Sequence, residues 1–215
     1  MIRWRFTAMG EAAILAEAET VDHEAANRAA LAAAAALEAD PPPGLRAVVP
    51  AIASLLVAFD PLTTPHATIE ARLRRLLAAP MAHASHGRLV EIPVRYGGVD
   101  GPDLEEVARA LGMAPARVVE LHTAAPLRVQ MIGFAPGYPY LGPLPPALHL
   151  PRRATPRARV PAGSVAIAAG LSGIYPAPLP GGWHLIGRTT LRLFDAAADP
   201  PALLAPGDRV QFTAV

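Results

Sequence analysis

The sequence predicts two domains of different class: a small α+β domain over residues 1–87, in the order ββαββα, and a mainly-β barrel over residues 88–215. Three observations predict this. Short β-patterned runs alternate with two stretches of helical apolar spacing in the first part, which places helices on one face of an antiparallel sheet. The second part is dense in Gly and Pro yet carries short apolar runs such as SVAIAA, WHLIG and LRLF, as expected of functional loops on a small barrel. At 215 residues and 52% hydrophobic content there is ample apolar material for a core.

Taken in order, residues 2–8 alternate and residues 12–18 follow Gly10 as a hairpin partner. Asp22 is the expected N-cap of a helix over HEAANRAALAAAAALEA, stopped by Asp40 and Pro41–Pro43. LRAVVPAIASLLVAFD reads as two strands split at Pro50. A second helix is expected from Thr64–Pro65, cap and first-turn proline, with Ile69, Leu73, Leu76 and Leu77 on one face. His83 and His86 form a spaced pair, but with no third ligand nearby the stretch reads as a polar linker and no metal site is predicted.

RLVEIPVRYGG opens the barrel as a strand. GPDLEEVARALG is a helix with Pro102 in its first turn and Asp103, Glu105 and Glu106 placed to suit the helix dipole; APARVVELH is a shorter one. LRVQMIGF, LRLFD and the run to Val215 after Pro206–Gly207 read as further strands. No internal repeat is visible.

Composition removes several chemistries. There is no Cys, so disulfides, thiolate nucleophiles and Cys-ligated metals are excluded. All 19 basic residues are Arg, so no Schiff base, Walker-A lysine or biotinylated lysine can form on this chain. A net charge of +1 gives no reason to expect nucleic acid or a membrane surface. Charges interrupt every apolar run of the N-terminal stretch, which reads as neither signal peptide nor membrane span, so the expectation is a cytoplasmic protein.

Arg152, Arg153, Arg157 and Arg159 lie within eight residues, and Arg188 follows at a strand end. Beside Thr155 and Ser164, with prolines fixing the backbone, they suit an anion cradle; the alternative is a solvated turn with internal ion pairs. Phe134, Tyr138, Tyr140, Tyr175 and Trp183 wall a pocket, face a partner or plug the barrel. His122 and His184 are of the type that moves protons near neutral pH, against the commoner role of a lone core histidine. No HExxH, GxSxG or GxxxxGK[ST] occurs.

The ordered run YGGVDGPDL (96–104), the His122 segment, GFAPGYPYLG (133–142), PRRATPR (151–157), VPAGSV (160–165) and PGGWHLIGRT (180–189) resembles the 5-oxoprolinase B-subunit family, also labelled allophanate hydrolase subunit 1, over essentially the whole chain. The resemblance implies a cyclophilin-like barrel as the C-terminal domain. It further implies a subunit of an ATP-dependent lactam or amide hydrolase that opens 5-oxoproline to glutamate, inactive without its partners. Those partners are a homologous second subunit, resembling allophanate hydrolase subunit 2, and a third; the site is shared between the homologous pair. ATP is then used in the complex, not necessarily on this chain, and no biotin is attached here. His122, Tyr138, Arg152, Arg153, Arg157, Ser164, Tyr175, Trp183 and Arg188 fall on motif positions, which implies a proton-moving role for His122 and substrate binding by the others, with Phe134 and His184 beside them. A family member that inhibits a sporulation kinase supplies the alternative, a regulatory module that binds and inhibits a sensor histidine kinase.

Overall fold

The computed structural model describes residues 2–79 and 87–215. The chain forms two compact units, Met1–His86 and Gly87–Val215. His83 and His86 lie outside the described residues.

In the first unit, β1 (Arg3–Ala8), β2 (Ala13–Glu19), β3 (Leu45–Pro50) and β4 (Ser54–Phe59) form an antiparallel sheet in the order β1-β2-β4-β3. Helices α1 (His23–Ala39) and α2 (His66–Ala78) cover it, burying the alanine stripe of α1 and Ile69, Leu73 and Leu77 of α2 against Ile14, Leu55, Val57 and Phe59. Asp22 caps α1, accepting from the Ala25 N–H at 2.9 Å. Thr64 does not cap α2. Its hydroxyl donates to the Pro43 carbonyl at 2.6 Å, and Pro65 takes the N-cap position with no side-chain bond.

The barrel strands of the second unit are β5 (Leu89–Tyr96), β6 (Leu127–Ile132), β7 (Pro139–Gly142), β9 (Ser164–Ala168), β10 (Leu171–Ile174), β12 (His184–Arg188) and β13 (Arg209–Ala214). These seven close into a mixed barrel in the order β10-β7-β6-β13-β5-β12-β9. Outside it, β8 (Arg157–Val160) and β11 (Leu179–Gly181) pair only with each other. Helices α3 (Leu104–Ala110) and α4 (Pro115–Ala124) lie in the connection between β5 and β6. The expected strand over LRLFD does not form: that stretch is irregular apart from a single bridge between Phe194 and Ala202. Among the described residues no helix is long and apolar enough to cross a membrane.

The barrel wall has an apolar core on each side. A strand's side chains alternate between faces, so each of β9, β10 and β12 contributes to both. Val165, Ile167, Ile174 and Ile186 point into the barrel and are fully buried, each worth about 1.5–3 kcal/mol. Ala166, Ala168 and Leu185 point outward into a second cluster with Tyr138, Tyr175 and Trp183. The cross-strand row Tyr140, Gly173, Ala166, Leu185 runs along this outer face, and the small residues in it leave room for large rings.

The segment after β5 is laced to β12. Gly97 N–H donates to the Ile186 carbonyl at 3.1 Å and Asp103 N–H to the Leu185 carbonyl at 2.9 Å. Between them Gly101 passes so close that an added Cβ would lie 2.1 Å from the Ile186 oxygen. Gly101→Ala is therefore expected to destabilise the barrel unit by about 1–3 kcal/mol, read as a lower midpoint of its denaturant unfolding. An unchanged midpoint would show that this approach is not tight.

Candidate functional site

On the outer wall, Phe134, Tyr138, Tyr140, Arg152, Tyr175 and Trp183, with the Pro180–Gly182 backbone, line a pocket of about 100 Å³. Two glycines create its floor. A Cβ at Gly173 would lie 2.4 Å from the Tyr138 hydroxyl, and one at Gly181 would lie 2.0 Å from that of Tyr175, so both phenols rest directly on backbone. The rings then lock edge to face: Tyr138 meets Tyr175 at 5.2 Å and 88° and Trp183 at 6.1 Å and 90°, contacts worth about 0.5–1.5 kcal/mol beyond burial. These aromatics do not plug the barrel; they form a layer outside it.

Phe134 stands at the rim. It is 59% exposed, packs its edge on Tyr138 at 5.3 Å, and holds φ at +69°, a left-handed conformation that a side chain normally avoids. Burial raises the pKa of Tyr138, Tyr140 and Tyr175, an effect that the nearby Arg152 partly offsets. All three phenols are consequently neutral O–H groups at neutral pH.

The expected arginine cradle divides. Arg157 grips the buried carboxylate of Asp103 with two bonds, 2.9 and 2.6 Å, and Arg153 reaches the same carboxylate at 3.3 Å and Glu106 at 3.3 Å. Both are committed to internal ion pairs and neither lines the pocket. Arg188 donates from Nε to the Ala162 carbonyl at 3.0 Å and lies opposite Ser164 in the β9–β12 ladder. Ser164 is buried at the turn that presents β9; its N–H donates to the Pro161 carbonyl and its carbonyl accepts from the Tyr175 N–H. It too lies away from the pocket. Arg152 is exposed, forms no ion pair among the described residues, and faces the tyrosines.

The two histidines are not in the pocket. His184 belongs to the inner row and donates from Nε2 to the Pro151 carbonyl at 2.9 Å. His122, the candidate proton mover, is fully buried inside the barrel, stacked on Phe212 at 4.4 Å. Its ring completes a chain in which the Tyr96 hydroxyl meets Nδ1 at 2.7 Å, Nε2 meets the Ser172 hydroxyl at 2.9 Å, and Ser172 donates to the Ala166 carbonyl at 3.3 Å. The neutral tautomer with hydrogen on Nε2 satisfies every partner. Burial lowers its pKa to about 3. Ser172, which holds His122, and Gly173, which supports Tyr138, are successive residues on opposite faces, so the sheet itself separates His122 from the pocket.

Two further residues complete this picture, one already among the candidate aromatics of the sequence and one not. Tyr140 lines the pocket within the same GYPYLG run as Tyr138, and Asp103 is the counter-ion that the arginine cluster requires. Its position at the start of α3 suggests only a helix-dipole role, yet it makes no side-chain cap bond.

A barrel with an external aromatic pocket beside an arginine that has no ion-pair partner among the described residues is the class of protein defined so far. Residues 4–204 match the family model described as carboxyltransferase domain, subdomain C and D. The chain is 38% identical to the 5-oxoprolinase B-subunit of Bacillus subtilis (strain 168), over all of this chain and 94% of that protein. It is 53% identical to the 5-oxoprolinase B-subunit of Escherichia coli O157:H7 over 66% of this chain and 65% of that one. Among solved structures it resembles that of TTHA0988, with a TM-score of 0.80 and 44% identity, covering all of this chain but only 40% of that one. The chain belongs to the 5-oxoprolinase B-subunit family.

Placing His122 in the barrel core gives a pH dependence with a definite sign. Its folded pKa of about 3 lies below the ordinary value of 6.5, so the unfolded chain binds more protons between those limits. The stability it contributes is full above pH 6.5 and is lost as pH falls toward 3, with a slope of up to about 1.4 kcal/mol per pH unit. His122→Gln removes this titration while its amide can still accept and donate. Unfolding free energies measured from about pH 7 to 4 are expected to fall less steeply in the variant than in the parent.

Proposed function

We propose that this chain is a subunit of an ATP-dependent 5-oxoprolinase-type lactam hydrolase, and that its outer pocket grips the substrate carboxylate on Arg152 in a site completed by a homologous second subunit. The observation that carries this reading is the Arg152 guanidinium, without an ion-pair partner among the described residues, beside an aromatic pocket whose phenols are all neutral donors. Guanidinium geometry matches a carboxylate, and aromatic walls suit the apolar carbons of a small ring. The names of the relatives support the substrate. The length of the TTHA0988 chain, of which the matched region is 40%, supports further polypeptide working beside this domain.

In this reading the chain supplies grip and orientation, not acid–base chemistry. His122 is neutral and walled off, and raised phenol pKa values leave the tyrosines as hydrogen-bond donors. Use of ATP and the proton transfers of ring opening fall to the assembled complex, which agrees with a chain that has no lysine. Phe134, exposed at the rim, is the aromatic anchor offered to the second subunit.

The test is glutamate release from 5-oxoproline and ATP by the chain co-expressed with its homologous second subunit and the third component. Turnover is expected only from the assembled complex. Arg152→Gln is expected to raise KM about 10- to 100-fold, the loss of a charge-assisted hydrogen bond, while substitution of the exposed Arg159 leaves KM unchanged. A folded, fully assembled complex that releases no glutamate would overturn this reading.

A further inference from the structure

We propose that Asp103 is a positioning residue for the pocket: it acts through Arg152, which it does not touch, by locking the 151–157 segment onto the barrel. The proposal rests on the substrate-grip reading of Arg152 only for its consequence for affinity. The lock itself is a matter of geometry.

Residues 151–156 belong to no strand, and β8, which follows, pairs with β11 alone and not with the barrel. The segment that carries Arg152 therefore has no ladder to hold it. Its anchors are few. Upstream, the Pro151 carbonyl accepts from His184 Nε2; just downstream, the Arg153 N–H donates to the Gly182 carbonyl at 2.8 Å. The side-chain hold comes from Arg157, whose fork closes on Asp103 and whose backbone pairs with Gly181 of β11, and from Arg153, which divides between Asp103 and the exposed Glu106.

Asp103 is built to bear that hold. Its side chain is 4% exposed, and one carboxylate oxygen also accepts the Leu185 N–H at 2.7 Å while its own N–H returns a bond to the Leu185 carbonyl. The carboxylate is thus fixed to β12, two residues beyond the Trp183 that lines the pocket. Two guanidiniums converge on this fixed point and span the segment on the far side of Arg152. A carboxylate buried this deeply without its cations would be strongly unfavourable, so the pairing is not optional. The result sets the position of Arg152 relative to Trp183, although Asp103 itself lines no part of the pocket.

The experiment has two arms. In the first, hydrogen exchange is measured on the isolated chain without ligand, comparing parent and Asp103→Asn. Exchange across 151–157 and at the Leu185 amide is expected to rise at least about tenfold, with β13 amides unchanged; unchanged exchange at 151–157 overturns the lock whatever the substrate proves to be. In the second, KM for 5-oxoproline is measured in the assembled complex for Asp103→Asn, Arg152→Gln and the double variant. If Asp103 acts through Arg152, its substitution raises KM in the parent background and changes it less than about twofold once Arg152 is gone. Equal effects in both backgrounds overturn the positioning role. Should Asp103→Asn fail to fold, Arg157→Gln opens the same lock from its half-buried side and is held to the same outcomes. A parent complex inactive on 5-oxoproline counts against the substrate reading alone, and the exchange arm still decides the lock.

Discussion

The constraint on which this barrel unit depends is the two-residue period of an extended strand. Because β9, β10 and β12 each present alternate residues to opposite faces, one wall must satisfy two different environments at once. Branched residues on the inner face fill the barrel. On the outer face the same strands carry Ala166, Ala168 and Gly173, which are too small to close a surface by themselves and so accept a second layer of aromatic rings. Shifting the register by one residue would turn the alanines inward and the isoleucines outward. The pocket is therefore a consequence of how the barrel core is filled.

A second consequence concerns charge. Arginine is the only basic side chain besides histidine, and the 151–157 segment concentrates it where few contacts hold the backbone. A single buried carboxylate divides the cluster by function. Those arginines that reach Asp103 become part of the framework, since leaving them would strand a desolvated anion. Arg152, which lines the pocket instead, keeps its full capacity for an external partner. Spacing alone cannot make this division, because Arg152 and Arg153 are adjacent and differ only in the side of the chain from which they emerge.

That difference marks what is legible in a sequence. The hairpin of β1 and β2, the bounds of α1 and the capping Asp22 follow from local patterns, and the structure places them within a residue or so of expectation. The aromatic membership of the pocket is legible too, because Phe134, Tyr138, Tyr175 and Trp183 all sit in Gly- and Pro-rich loops. What local pattern does not supply is sidedness. A histidine at the end of a short helix is often available to solvent, yet the neighbours of His122 in space, Tyr96, Ser172 and Phe212, come from three strands distant in sequence. Asp103 resembles an ordinary helix-terminal acid for the same reason. Its partner Arg157 is 54 positions away, and nothing within a window of either residue announces the other. LRLFD alternates like a strand but finds no free edge in a barrel that is already closed.

Phe134 shows how the local and the distant combine. A non-glycine residue in the left-handed region costs about 1–2 kcal/mol, and leaving a phenyl ring 59% exposed forgoes most of the benefit of an aromatic side chain. The fold accepts both penalties at one position. The edge contact with Tyr138 fixes the ring's direction without covering it, so the exposed face is held ready rather than left to rotate. Were the site shared with a homologous subunit, as proposed, both penalties would be offset on association: the ring would lose water, and its order is set in advance, so less entropy would be lost when the partner docked. The same docking would exclude water from above Arg152, and a guanidinium in a drier pocket grips a carboxylate more strongly than one in bulk solvent. On the proposed reading, closure by a partner and affinity for a small anion would be one physical effect at this pocket.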